Sequence, residues 1–296
     1  MSQALSDFSP ARRRSRRREC LCLTTLVLLT SVVAVAVPAA AEEKVAPVRH
    51  IFVVGGSLLS GDPDYRLLRF IVSLTGKPNP VVCVLPTASG DNLERLAMWY
   101  EIMNDLPCRP RHLRLFGPTA KARNFEKQLL AADAIVVPGG NGLNMTAVWK
   151  AQGVDAVLRT AWERGILLAG ESAGMNCWFE QGVGDSRPER LSAIDFRDSR
   201  SERLSAIDFL GWLKGSACPH YHDGSGQWKK GYHQLLSAGQ IQDGIACDSG
   251  AGLLFEGERL ARVVTIAPGA GAYRVRRHGQ AVIEEPLKAE LLGKTP

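Results

Sequence analysis

Short apolar runs alternate with amphipathic stretches through the first two thirds of the chain. Residues 50–54, 80–85, 134–137 and 166–169 are apolar almost throughout, the pattern of strands buried on both faces. Between them, residues 65–74, 92–106, 125–132, 143–150 and 155–164 space their apolar side chains at helical intervals. Leu93, Leu96, Met98, Trp99 and Met103 make the clearest such stripe. Residues 111–116 alternate like one more strand. Beyond residue 245 the period shortens, and 245–246, 252–255, 260–266 and 273–283 read as strands in hairpins. The prediction is an α/β fold: a mostly parallel sheet, helices on both faces, and a C-terminal β-hairpin extension.

Ligands in such sheets bind beyond the carboxyl ends of the strands. Three glycine-bearing loops fall at that edge: Gly55-Gly56, Gly139-Gly140-Asn141-Gly142 and residues 170–174. The last reads Gly170-Glu171-Ser172-Ala173-Gly174, a G-x-S-x-G sequence between an apolar strand and a helical stretch carrying Met175, Trp178 and Phe179. A sharp strand-to-helix turn there exposes the serine hydroxyl, and the flanking glycines let the two elements pass closely. Ser172 is the candidate nucleophile.

A serine nucleophile needs a base, an acceptor to orient that base, and donors for the oxyanion. His50 and His112 lie in predicted strands, His278 in a hairpin turn, and His233 on a helical stretch with Tyr232 and Leu235. His220 and His222 remain, in the loop Cys218-Pro219-His220-Tyr221-His222-Asp223-Gly224. Asp248, after a short strand, is the first choice of acid and Asp223 the second. The amides of Ala173 and of Gly139 or Gly140 are the oxyanion donors, with Asn141 beside them.

Charge changes the picture only at the N-terminus. The net charge is +6, but six arginines crowd residues 12–18, and without them the remainder is about neutral. The sequence therefore makes no case for nucleic-acid binding. The arginines precede an apolar run over 20–37 and then Pro38-Ala39-Ala40-Ala41-Glu42, the three parts of an export signal cleaved after Ala41. Ser15-Arg16-Arg17 also fits a twin-arginine signal, although Glu19 and Cys20 stand where that signal prefers other residues. Uncleaved, a run of roughly 18 apolar residues is long enough to anchor the chain in a membrane. The expected organisation is a signal over 1–41, a linker over 42–49 and one folded domain over 50–290, exported to the periplasm or beyond.

Five cysteines follow the signal, at irregular spacings and with no C-x-x-C pair, so neither a disulfide framework nor a zinc site is supported. Only a Cys218–Cys247 bridge stays open. A near-perfect repeat spans residues 185–196 and 198–209, differing only at Pro188 against Ser201. One repeat builds no solenoid. It reads as a tandem duplication that lengthens a loop.

Val137-Pro-Gly-Gly-Asn-Gly-Leu-Asn144, the elbow with Met175 to Phe179, Gly184-Asp185-Ser186 and Ala217-Cys-Pro-His-Tyr221 together resemble the peptidase E family of serine peptidases. That family is similar to cyanophycinases and has the flavodoxin-like three-layer sandwich of class I glutamine amidotransferases. The resemblance covers roughly residues 50–286. It implies Ser172 as nucleophile, His220 as base, and an acidic residue after a late strand, which Asp248 matches in placement. It also implies Asp185 as a substrate contact. The implied substrates are aspartyl dipeptides or the aspartyl–arginine polymer, with no metal or organic cofactor. Small peptides are the expected partners, and a second copy of the chain is the other candidate. An esterase would instead use the order serine, acid, histidine and need Asp248 with His278. A cysteine-dependent amidotransferase would carry cysteine at position 172, and Cys177 stands too far along to replace it. An exported binding protein or inactive homologue on the same scaffold is the non-enzymatic alternative.

Overall fold

The computed structural model describes residues 47–116, 124–186 and 204–293. The expected export signal and most of the linker lie outside them. Chain order runs β1 (His50–Val54), α1 (Arg66–Leu74), β2 (Val81–Val84), α2 (Leu93–Asn104), β3 (Arg109–His112), α3 (Phe125–Leu130), β4 (Ala134–Val137), α4 (Gly142–Gln152), α5 (Val154–Glu163), β5 (Leu167–Glu171) and α6 (Ala173–Asn176). Then come β6 (Phe179–Gly184), β7 (Ser205–Asp208), β8 (Leu213–Cys218), α7 (Gln227–Ser237), β9 (Gly244–Cys247), β10 (Ala251–Glu256), β11 (Arg259–Thr265), β12 (Ala272–His278), β13 (Ala281–Pro286) and β14 (Glu290–Leu291).

The first sheet has the order β14-β11-β10-β1-β5-β4-β2-β3. Its strands β1, β5, β4, β2 and β3 are parallel, and β10 and β11 extend it antiparallel. Because neighbouring side chains on a strand point to opposite faces, Ile51 and Val53 enter one core while Phe52 and Val54 enter the other. Leu68, Ile71, Trp99 and Met103 of α1 and α2 cover the second face. Met145, Trp149, Leu158 and Trp162 of α4 and α5 cover the first. Each such fully buried side chain contributes about 1.5–3 kcal/mol. The result is a flavodoxin-like α/β sandwich.

The structure corrects the single-sheet expectation in its last part. A second sheet, ordered β13-β12-β9-β8-β6-β7, holds part of the predicted hairpin extension and three strands that periodicity did not show. Phe179 opens β6 of this sheet and does not continue a helix, since α6 stops at Asn176. Phe179, Leu213 and Ala217 share the core of the first sheet, while Val183, Cys218 and Ala246 pack with Tyr232 and Leu236 of α7. Strand β3 sits at Arg109–His112, earlier than the alternation suggested, because the pairing β2 offers begins at Arg109. Of the repeat, the second copy supplies β7, and most of the first lies outside the described residues. Cys83, Cys108, Cys177, Cys218 and Cys247 are free thiols, which closes the question of a Cys218–Cys247 bridge.

Candidate active site

Ser172 stands at the end of β5 with φ 54° and ψ −114°, a conformation that non-glycine residues avoid. Its backbone amide donates to the Val54 carbonyl at 3.2 Å, tying the turn to the end of β1. Gly170 and Gly174 face each other so closely that a methyl on Gly170 would overlap the Gly174 carbonyl. A methyl on Gly174 would overlap the Val137 carbonyl at the end of β4. The spacing of the two glycines therefore follows from three chain segments converging beneath the serine.

His220 sits on the loop after β8, also at positive φ (54°), with its amide donating to the Gly55 carbonyl at 3.1 Å. Its Nε2 lies 2.9 Å from the Ser172 hydroxyl and its Nδ1 2.8 Å from Asp223 Oδ2. With the proton on Nδ1 donated to the carboxylate, Nε2 is left to accept from the serine. The ring lies against Trp228 of α7, 5.3 Å between centroids. Burial alone would raise the pKa of Asp223, but donation from the Ser249 hydroxyl and from His220 outweighs it and holds the carboxyl below its ordinary value.

Asp248, the first-choice acid, is elsewhere. Its Oδ1 pairs with His222 Nδ1 at 2.9 Å and accepts the His222 amide at 3.2 Å, while Oδ2 accepts the Gly271 amide at 2.9 Å. It clamps the loop that carries His220, and the carboxylate that meets the His220 ring is Asp223. The residue after the late strand β9 that faces His220 is Ser249, whose hydroxyl donates to Asp223 Oδ2 and lies 3.4 Å from His220 Nδ1. The esterase pairing is not formed either, because Asp248 is engaged with His222 while His278 ends β12. Cys177 is fully buried, its thiol donating to the Gly174 carbonyl and its pKa pushed up by burial.

The loop after β4 approaches from the other side. Gly140 has φ 143° and abuts the Ala88 carbonyl, so a side chain there is excluded twice over. A methyl on Gly139 would crowd the Ser172 side chain, and the Gly139 amide donates to Glu171 Oε1 at 3.3 Å and is occupied. Asn141 caps α4, its Oδ1 accepting the Asn144 amide at 2.8 Å, and still lines the cavity. Glu171 is buried beneath the site. Burial raises its pKa against the opposing pull of the Leu58 and Gly139 amides, with Arg95 3.8 Å away. A cavity of about 360 Å³ opens over Ser172, with Gly140, Ala173, Asp185, Phe209, His220 and Trp228 in its wall. Asp185 is exposed at its edge. Sequence reasoning passed over Trp228, Ser249 and the role of Glu171. Only the His-x-x-Asp spacing of residues 220–223, close enough to meet within one turn, carried a signal of the actual pair.

The Peptidase family S51 profile matches residues 51–263, a span that includes Ser172, His220, Asp223 and Ser249. The chain belongs to peptidase family S51. It is 37% identical over 246 residues to the uncharacterized peptidase YgaJ of Bacillus subtilis (strain 168), covering 83% of this chain and all of that one. Among solved structures it is similar to a peptidase from an acI-B1 Actinobacterium (TM-score 0.56, 18% identity, 82% of this chain and 95% of that one). A Listeria monocytogenes EGD-e protein assigned to peptidase E follows at TM-score 0.53 and 16% identity, covering 74% of this chain and all of that one. At those identities the two structures speak for the fold. Family membership makes the chain a serine-type peptidase of the peptidase E group.

Proposed function

We propose that this S51 peptidase hydrolyses small peptides or isopeptides through a Ser172–His220–Asp223 triad. The observation that carries the proposal is the imidazole of His220 bridging the Ser172 hydroxyl and the Asp223 carboxylate at 2.9 and 2.8 Å. In this reading Ser172 Oγ attacks the scissile carbonyl while His220 Nε2 takes its proton. The resulting imidazolium is stabilised by Asp223 and returns the proton to the leaving amine; water then repeats the cycle on the acyl-enzyme. The developing oxyanion is held by the amides of Gly140 and Ala173, neither of which has a backbone partner among the described residues. Gly139 is set aside because its amide is committed to Glu171. Small substrates suit a cavity near the lower end of the roughly 300–1,000 Å³ typical of ligand sites.

The test is a substrate panel run beside the Ser172→Ala variant: aspartyl dipeptides, other dipeptides, β-aspartyl–arginine and a simple ester. Turnover of one peptide class, lost by several orders of magnitude in the variant with the fold intact, is expected. Equal activity in the variant would refute the mechanism. No turnover and no fluorophosphonate labelling of the wild type would favour an inactive homologue. The arginine cluster, apolar run and small residues up to Ala41 further support export. N-terminal sequencing of the protein after expression in an export-competent bacterium tests it, with Glu42 as the expected first residue.

A further inference from the structure

We propose that Ser249 is a positioning residue of this site, acting on His220 through Asp223; the inference rests on the triad reading above. Asp223 follows His220 by one turn, and its side chain keeps 35% of its surface in water. A carboxylate so placed is free to rotate toward solvent unless something holds it. Ser249 holds it: its hydroxyl donates to Oδ2, the same oxygen that receives His220 Nδ1. Two donors on one oxygen fix the carboxylate plane and with it the tilt of the imidazole toward Ser172.

Ser249 is itself set in place from two sides. Asp248, next in the chain, is buried and bonded to His222 and Gly271. Beneath it the Gly55-Gly56 loop passes so closely that a methyl on Gly56 would overlap the Ser249 side chain. A methyl on Gly55 would overlap the Cys247 and Asp248 carbonyls. Those glycines, at the carboxyl end of β1 where a ligand loop was expected, serve as a bed for Ser249. The Gly55 carbonyl also accepts the His220 amide, so one loop supports both the base and the residue that steadies its acid.

The experiment is a double-mutant cycle over Ser249→Ala and Asp223→Ala in the full chain, reading kcat, KM, the rate of fluorophosphonate labelling and thermal unfolding. Ser249→Ala should lower kcat and the labelling rate together by about 10- to 100-fold, the factor carried by one hydrogen bond to a charged group. KM and the unfolding temperature should barely move. On the Asp223→Ala background the same substitution should cost nothing further, since its effect passes through the missing carboxylate. An unchanged kcat, a loss matched by loss of folded protein, or full additivity with Asp223→Ala would each overturn the proposal. A wild type that labels normally while Ser249→Ala also labels normally refutes only this inference. A wild type that does not label refutes the triad beneath it.

Discussion

Two aspartates 25 residues apart on the chain perform separate tasks within one small region, and their neighbours decide which. Asp223 meets the His220 ring that faces Ser172, whereas Asp248 receives two backbone amides and a second imidazole. Asp223→Asn should therefore lower kcat by roughly 10³- to 10⁴-fold with little change in stability, as loss of the orienting carboxylate does in serine triads. Asp248→Ala removes a buried carboxylate and leaves two partly buried amides unmet, and should cost about 1–3 kcal/mol in urea unfolding, with the smaller effect on rate. Paired kinetics and unfolding curves for the two variants check this opposition. The sequence made Ser172 legible, because glycines on both sides of a serine at a strand end have a steric cause. It did not separate the two aspartates. Each follows an apolar segment, and which one meets His220 depends on how far the loop after β8 folds back over β9.

At the scale of elements, β1, β2, β4 and β5 were readable because parallel strands buried on both faces are apolar at nearly every position. Strands β6 and β8, FEQGVG and LKGSAC, were not. Glycines and half-exposed polar residues break their alternation, and they exist because partner strands accept them. The elbow gives a sharp test of local geometry: Gly174→Ala should destabilise the protein by more than an ordinary glycine-to-alanine change, since no side chain can yield where the methyl meets the Val137 backbone. Thermal unfolding of that variant beside Gly293→Ala, whose methyl would meet nothing within 4 Å at a φ open to any residue, isolates the contact from the general effect of replacing glycine. The repeat gives a second test. Deleting residues 185–197 rejoins Gly184 to Asp198-Ser199 and so restores the Asp-Ser pair after β6 while keeping β7. Loop closure changes by only about 1 kcal/mol for such a shortening, so the unfolding temperature should stay level or rise slightly. Activity should persist in the same variant.

For the molecule as a whole, Glu171 links folding to pH. Its pKa is raised in the folded state, chiefly by burial. The folded protein therefore holds that proton more tightly than the unfolded chain does. The stability tied to this group is complete below the ordinary value of 4.5 and is lost as pH climbs through the raised value. Urea unfolding of wild type and Glu171→Gln from below pH 4.5 to neutrality should show the wild type losing ground to the variant as pH increases. A constant difference would contradict that sign. Ser172 and His220 also belong to separate sheets, Ser172 following β5 of the first and His220 following β8 of the second. Their 2.9 Å contact is thus a gauge of how the two sheets meet. Heat or denaturant that loosens that junction would silence the enzyme before either sheet melts. A covalent inhibitor on Ser172 that also stacks on Trp228 would behave as a cross-brace, raising the temperature at which the halves part.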